Sequence, residues 1–160
     1  MSKLEFSIVL QANPNQLINI ATNYENLSKY LPKQLESIKI IQQNNNEVTT
    51  EEKLIFKTLL KNTIMQQSLH KKTSDNETLM KILSGPAKNT TVKTLYEKID
   101  SGTRIVIEAD LKLGLKFKVF YPIIKKEYKK MLMGILFKMN TDALNKTDEI
   151  IRSEEHTSEL

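Results

Sequence analysis

The sequence predicts an α+β domain in which a strongly curved antiparallel β-sheet wraps around one long C-terminal α-helix, with two short helices after the first strand. Three observations predict this fold. Apolar and polar residues alternate near the N-terminus, short extended runs separated by turn-forming clusters fill the middle, and the last third changes to helical spacing. One domain is expected, because a chain of 160 residues can bury about two-thirds of the surface that it exposes when unfolded.

The N-terminal segment contains the first three predicted elements. Between Lys3 and Leu10, apolar side chains fall on every second position, which is typical of a half-buried strand. Pro14 suits the first turn of a helix that has Asn13 as its N-cap. A second short helical piece follows in YENLSKYLP and ends at Pro32.

Six extended runs between Leu35 and Leu111 predict an antiparallel meander. The runs are LESIKII, EEKLIFKTLL, NTIMQQSLH, TLMKIL, TVKTLYEKI and RIVIEADL. The clusters that separate them are Asn44 to Asn46, Lys61-Asn62, Ser74 to Asn76, Gly85-Pro86 and Ser101-Gly102. Clusters of this composition break strands and form turns.

Helical spacing begins after Gly114 and predicts a long amphipathic helix from near Pro122 to at least Asn145. Steps of three and four residues connect its apolar positions, which are Phe120, Ile124, Tyr128, Met131, Ile135 and Met139. Gly134 interrupts this helix at a cost of about 1 kcal/mol relative to Ala. It either leaves room for a ligand or lets the helix approach a strand closely.

Two segments carry a resemblance to a known superfamily. ANPNQLINIATNYENLSKYLP has the pattern of a helix pair after a first strand, and DLKLGLKFKVFYPIIKKEYKKMLMGILFKMN that of a last strand entering a long helix. From Lys3 to about Ile151, the order of elements resembles the START-like helix-grip (SRPBCC) superfamily, which includes polyketide cyclases and plant pollen-allergen proteins. The resemblance implies a cavity between sheet and helix that binds a hydrophobic small molecule such as a lipid, an isoprenoid or a polyketide-like compound.

Such a cavity is expected to be mostly apolar, with a volume of about 300 Å³ or more and a few polar groups that orient the ligand. We expect Tyr96, Tyr128 and His70 to supply those groups. The residues predicted to line the cavity are Phe56, Met80, Ile82, Tyr96, Ile107, Phe120, Tyr128, Met131 and Ile135. The apolar residues of the helix would also serve as an ordinary core, because any amphipathic helix buries such a face.

Few side chains indicate chemistry. Cysteine is absent, which excludes thiol catalysis, Cys-ligated zinc and disulfides, and no metal or cofactor motif occurs. His70 is the candidate catalytic residue: it shares a strand face with Gln66 and could transfer protons in the cavity, or it could be a partly exposed residue near a turn. Glu108 and Asp110 share the opposite face from their apolar neighbours, which predicts that this pair faces solvent.

Three functions stay open on these residues. Binding of a hydrophobic ligand for transport or sensing is the main hypothesis, and no cofactor or metal is expected. A cyclase or dehydratase would be favoured by His70 or a carboxylate beside a tyrosine in the cavity. A protein-interaction module, similar to the START-like co-chaperones, would have a closed core and a large exposed apolar patch.

The chain has a formal net charge of +5, and its most basic segment is KKEYKK. Lys125, Lys126, Lys129 and Lys130 would form a strip on the helix that contacts an anionic membrane surface transiently, or that is simply solvated. No nucleic acid is expected as a partner, because no arginine cluster accompanies the lysines and the aromatic residues fall on the apolar side. The oligomeric state stays open.

The two ends of the chain lead to further expectations. The first residues lack the run of about 7 to 15 apolar residues of a signal peptide, and no stretch reaches the ~20 apolar residues of a membrane span, so we expect a cytoplasmic protein. The last nine residues, RSEEHTSEL, can be encoded by the start of a widely used short-read sequencing adapter. We therefore expect residues 152–160 to be a disordered artefact, the domain to cover residues 1–151, and His156 to have no role.

Overall fold

Seven antiparallel strands form one open sheet in the computed structural model, which describes residues 3–55 and 63–158. The strands are β1 (Lys3–Leu10), β2 (Leu35–Gln43), β3 (Glu47–Leu54), β4 (Ile64–Ser74), β5 (Glu77–Ile82), β6 (Thr91–Ile99) and β7 (Gly102–Asp110). They lie in the order β1-β7-β6-β5-β4-β3-β2. The first strand and the six-strand meander predicted from the sequence are therefore confirmed.

The predicted start of the third strand is wrong, and residues 56–60 of the predicted run lie outside the described residues. The run EEKLIFKTLL spans residues 51–60, whereas β3 covers Glu47–Leu54. Thr50 and Glu52 point inward with Val48 and Leu54, and these inward polar side chains hide the alternation that marks a strand. The predicted Lys61-Asn62 turn lies outside the described residues.

The predicted helix pair is also confirmed, with one change of type. Helix α1 (Pro14–Thr22) begins at a capping box, in which the Asn13 side chain accepts a hydrogen bond from Gln16 N at 2.9 Å and Gln16 Oε1 accepts one from Asn13 N. The second piece, Tyr24–Tyr30, is a 3₁₀ helix. Another 3₁₀ helix, Leu115–Phe120, precedes the long helix and was not predicted.

The long C-terminal helix α2 (Tyr121–Ser158) packs against the sheet. Tyr128, Met131 and Met139 of the predicted apolar stripe are buried, whereas Phe120 ends the preceding 3₁₀ helix and is partly exposed. A Cβ at Gly134 would lie 3.1 Å from the Pro32 Cβ. Close packing therefore explains this glycine, although its neighbour is a loop residue and not a strand.

Polar contacts attach α2 to the N-terminal elements. Asn140 Oδ1 accepts a hydrogen bond from Ala12 N at 3.0 Å, and Asn140 Nδ2 donates one to Gln11 Oε1 at 2.9 Å. The Tyr30 hydroxyl donates to Asp142 at 2.6 Å. Burial and this bond raise the pKa of Tyr30 to about 12, and the same bond lowers the pKa of Asp142. These contacts fix the position of α2 over the sheet.

The outer face of β7 agrees with the sequence. Glu108 is exposed and Asp110 is half-buried, while the side chains of Ile107 and Ala109 on the other face are buried. Among the described residues, no helix is both long and apolar enough to cross a membrane. The backbone of α2 continues as a helix through Ser158, and the origin of residues 152–160 stays a prediction.

Candidate functional site

Two adjoining cavities lie between the sheet and α2. The larger chamber, about 110 Å³, is enclosed by β2 to β5, the first 3₁₀ helix and α2. The smaller chamber, about 40 Å³, lies beneath the second 3₁₀ helix and the first turns of α2. Leu54, Gln66 and Tyr128 line both chambers, so these three side chains lie between them.

Five of the predicted cavity residues line these chambers. Met80, Tyr128, Met131 and Ile135 line the larger chamber, and Phe120 lines the smaller one together with Tyr128. Three others are buried but line neither of the two chambers, namely Ile82, Tyr96 and Ile107. Phe56 lies outside the described residues. The side chains brought together are thus mainly those of α2 and the strands opposite it.

The volumes are smaller than the expected value of about 300 Å³. The interior is nevertheless not filled solidly, since Met80 and Met131 border open space. A long or polycyclic ligand would occupy both chambers and displace the Tyr128 ring that lies between them. The flexible side chains of the two methionines would adapt to its shape.

A polar cluster faces the larger chamber from β3 and β4. The Thr50 hydroxyl donates a hydrogen bond to Glu52 Oε1 at 2.9 Å and lies 2.7 Å from His70 Nε2. His70 Nε2 lies 3.7 Å from Glu52 Oε1. Because the single Thr50 proton is used toward Glu52, the Thr50 oxygen accepts from His70, which places a proton on Nε2.

The register of β3 and β4 brings this cluster together. Thr50 lies opposite Ser68, and Glu52 lies opposite Gln66, and all four side chains are buried. His70 is two residues beyond Ser68 and thus on the same face of β4; its side chain is only 14 % exposed. The sequence left two alternatives for this histidine. In the structure it is half-buried and lines the larger chamber, and its ring centre lies 5.3 Å from that of Tyr24.

Several buried polar atoms of the site have no hydrogen-bond partner within the described part of the chain. They include Glu52 Oε2, Ser68 Oγ and the Tyr128 hydroxyl. Burial raises the pKa of Tyr128, and the Glu52 charge raises it further, so this phenol stays protonated at neutral pH. Unpaired buried polar groups are rare because each costs free energy, and they need an explanation.

Comparison with solved structures identifies the architecture. A START superfamily protein from Mycobacterium smegmatis superposes with a TM-score of 0.72 at 10% identity, over 91% of this chain and 99% of that one. Zhui aromatase/cyclase from Streptomyces sp. R1128 superposes with a TM-score of 0.75 at 9% identity, over 91% of this chain and 94% of that one. The protein TTHA0849 from Thermus thermophilus superposes with a TM-score of 0.74 at 14% identity, over 91% of this chain and 97% of that one.

The chain has the START-like helix-grip fold. No model of a known protein family matches the sequence, and a search of curated proteins finds no match either. The identities to the solved structures are low, so these comparisons show the fold and leave function to the residues of the cavity.

Sequence reasoning missed the buried carboxylate of this helix-grip cavity. Val48 and Leu54 are apolar and lie six residues apart, so an alternating strand through both would turn Thr50 and Glu52 to the same inward face. The sequence therefore contained the information that Thr50 and Glu52 share the inward face of this strand. It was obscured because Thr50 and Glu52 are residue types that usually face solvent.

The basic strip on α2 of the helix-grip fold is divided among different environments. Lys129 Nζ lies 5.3 Å from the centre of the Phe6 ring, and Lys130 forms an ion pair with Glu127 at 3.8 Å. Lys126 is exposed and Lys125 is half-buried. Two of the four predicted lysines therefore already have partners within the protein.

Proposed function

We propose that this protein binds a small hydrophobic molecule in the two chambers, for transport or sensing, and that the molecule is a lipid, an isoprenoid or a polyketide-like compound. The observation that carries the proposal is the pair of adjoining apolar chambers between the sheet and α2, with an unsatisfied polar cluster on one wall. Concave apolar sites with a few convergent polar groups are typical of small-molecule binding. Solved proteins of this fold include an aromatase/cyclase, which supports a polyketide-like ligand.

Burial of the ligand's apolar surface would drive binding. A compact ligand that buries roughly 300 Å² of apolar surface gains about 7.5 kcal/mol at 25 cal/mol per Å². Association costs a substantial part of this gain. A micromolar affinity or weaker is therefore expected for a purely apolar ligand, and polar contacts would have to supply any tighter binding.

Native mass spectrometry of the full chain, purified gently and analysed together with an organic extract, tests this proposal. We expect a reproducible hydrophobic compound, or binding from a panel of lipids, isoprenoids and polyketide-like compounds. Ile135→Trp places a large ring at the wall of the larger chamber and should abolish binding. Phe137→Trp, at an exposed position two residues further along α2, is the matched control. A clean apo mass with no binding from the panel would contradict the proposal.

The polar cluster favours proton-transfer catalysis as a second candidate function. Glu52 is linked through Thr50 to His70, and Tyr128, whose phenol is protonated at neutral pH, lines the same chamber. A carboxylate base beside a phenol donor can remove a proton next to a ketone and stabilise the resulting enolate, as a cyclase or dehydratase requires. Turnover of a β-diketone that disappears in Glu52→Gln while binding persists would distinguish the enzyme from a carrier.

A further inference from the structure

Glu52 and Tyr128 line the larger chamber, and each carries a buried oxygen atom without a hydrogen-bond partner among the described residues. We propose that this chamber selects an apolar molecule carrying one hydrogen-bond donor, a hydroxyl or an amine, which binds the Glu52 carboxylate. The inference rests on the proposed function, because it concerns which hydrophobic molecules the chamber accepts. It adds a chemical requirement that the fold alone does not contain.

Glu52 is the central residue of this selectivity. It is 4 % exposed and lies on the wall of the chamber. Thr50 donates to its Oε1, whereas Oε2 has no partner in the described part of the protein. The remaining wall is mostly aliphatic and aromatic, and a carboxylate oxygen left unpaired in such surroundings is costly. A ligand donor would remove that cost, so it would bind more tightly than an equally apolar molecule without one.

Tyr128 extends the same requirement. Its hydroxyl is buried, has no hydrogen-bond partner among the described residues and stays protonated at neutral pH. A ligand hydroxyl that reaches both buried oxygen atoms would donate to Glu52 and accept from Tyr128, which would satisfy both groups. A ligand carboxylate or phosphate would instead place a second negative charge beside Glu52 in a chamber of low polarity. Anionic lipids are therefore expected to be rejected here.

Four matched octyl compounds test the requirement: 1-octanol, octylamine, octyl methyl ether and octanoate, each displacing a neutral fluorescent apolar probe from the full chain. We expect the alcohol and the amine to bind at least about tenfold more tightly than the ether, since hydrogen bonds to charged groups contribute about 1.5–3 kcal/mol. Octanoate should bind more weakly than the ether. Equal affinities of alcohol and ether would overturn the inference and leave the proposed function intact. If neither the probe nor any of the four compounds binds, the inference and the proposed function are both overturned.

Two substitutions separate the acceptor from its charge. Glu52→Leu removes the acceptor and should abolish the preference for alcohol over ether. Glu52→Gln keeps an acceptor oxygen without charge and should restore octanoate to the affinity of the ether. Glu51→Gln, the neighbouring residue on the other face of β3, is the matched control and should bind like the unmodified protein. Retention of the alcohol preference in folded Glu52→Leu would contradict the assignment.

A second inference concerns the opposite side of the segment that covers the smaller chamber. Leu115 and Val119 are 84 % and 82 % exposed, and Phe120 and Ile123 are 43 % and 46 % exposed. We call these four side chains the outer apolar face. Phe117 and Ile124 of the same segment point inward and line the smaller chamber. The outer face is thus built from large apolar side chains that the described fold leaves uncovered.

The segment that carries the outer apolar face is basic. Residues 112–126 contain five lysines and no Asp or Glu. The exposed lysines of this range are Lys112, Lys116, Lys118 and Lys126. We infer that the outer apolar face inserts into the interface of an anionic lipid bilayer, with the lysines at the level of the head groups. A basic segment with exposed aliphatic and aromatic side chains is the pattern of an interfacial membrane contact.

Other occupants fit this surface less well. A second copy of the chain would bring the same lysines together across a two-fold interface, which like-charge repulsion disfavours. A nucleic acid would use the lysines, but Phe120 is the one ring of the outer apolar face, and the other three side chains offer no surface on which a base could stack. A bilayer meets both features, and it would bring lipid against the wall of the smaller chamber, because Phe120 belongs to both surfaces.

Vesicle flotation of the full chain tests this surface independently of any bound ligand. We expect binding to vesicles of phosphatidylcholine with about a third phosphatidylserine, weaker binding to phosphatidylcholine alone, and loss of binding at high salt. Leu115→Ser with Val119→Ser should lower the partition coefficient at least about tenfold, because two exposed apolar side chains no longer enter the interface. Lys116→Gln with Lys118→Gln should do the same, since each lysine near an anionic surface contributes about 1 kcal/mol.

The controls use residues of the same type elsewhere on the surface. Val9→Ser with Ile41→Ser removes two other exposed apolar side chains, and Lys72→Gln with Lys98→Gln removes two other exposed lysines. Both controls should keep the unmodified affinity. Equal losses in control and test variants, or no binding of the unmodified protein to anionic vesicles, would overturn the inference. A dimer in sedimentation that Val119→Ser dissociates would overturn it in favour of a second copy.

Discussion

Replacing Gly102 by alanine is expected to lower the free energy of unfolding by at least about 3 kcal/mol. Gly102 begins β7 with a φ of +141°, a conformation that residues with a Cβ rarely adopt. A Cβ there would lie 2.1 Å from the Leu10 carbonyl oxygen and 2.8 Å from that of Gln11. Both atoms are backbone, so β1 and β7 would have to separate where Leu10 pairs with Thr103.

Urea unfolding followed by circular dichroism measures this effect. Gly114→Ala is the matched control: Gly114 has a φ of -60°, and the nearest atom to its added Cβ is the Pro86 carbonyl oxygen at 4.0 Å. The control should change the free energy of unfolding by no more than about 0.5 kcal/mol. If Gly102→Ala unfolds at the same urea concentration as Gly114→Ala, the contact between the β6–β7 turn and the end of β1 is not what holds this edge of the sheet.

The elements that could be predicted are those with a strong local pattern. The alternation in β1, the proline and asparagine at the start of α1, and the helical spacing of α2 are each determined by neighbouring residues. Turn-forming residues such as Ser101-Gly102 mark the meander in the same way. The order of these elements was sufficient for the helix-grip fold.

Cavity membership could be predicted only in part, because alternation defines the face of a residue and not its depth. Ile107 and Tyr96 lie inward as expected, yet they pack in the core and line neither chamber. Met80 and Met131 also lie inward and do border open space. Which of these outcomes occurs depends on where α2 crosses the sheet, and long-range contacts such as that of Asn140 with Ala12 determine this position.

The polar cluster could not be predicted because it depends on strand register. Thr50 and His70 are twenty residues apart, and they meet only because Val48 lies opposite His70 in the β3–β4 pair. A shift of the register by one residue would place one partner on the other face of the sheet. The connection between these strands is too long for its turn type to define the register from sequence.

Removal of the Tyr128 side chain is expected to merge the two chambers. Tyr128 is buried and, with Leu54 and Gln66, lies between the larger and the smaller chamber. Tyr128→Ala should lower the free energy of unfolding of the ligand-free protein by about 3 kcal/mol, the lower end of the range for large aromatic residues. The lower end applies because the lost hydroxyl has no hydrogen-bond partner within the described residues, so its removal also relieves a cost.

The same substitution should change which ligands bind. In Tyr128→Ala, long or polycyclic apolar alcohols should gain affinity relative to 1-octanol, since they no longer displace the Tyr128 ring. At a hundredfold excess over its Kd, such a ligand should raise the free energy of unfolding of the variant by about 2.7 kcal/mol. Met139→Ala is the control, because Met139 is buried on the same helix and lines neither chamber. It should cost a similar amount of stability, about 2 to 5 kcal/mol, without altering the size preference. An unchanged preference in folded Tyr128→Ala would mean that the chambers do not act as one ligand site.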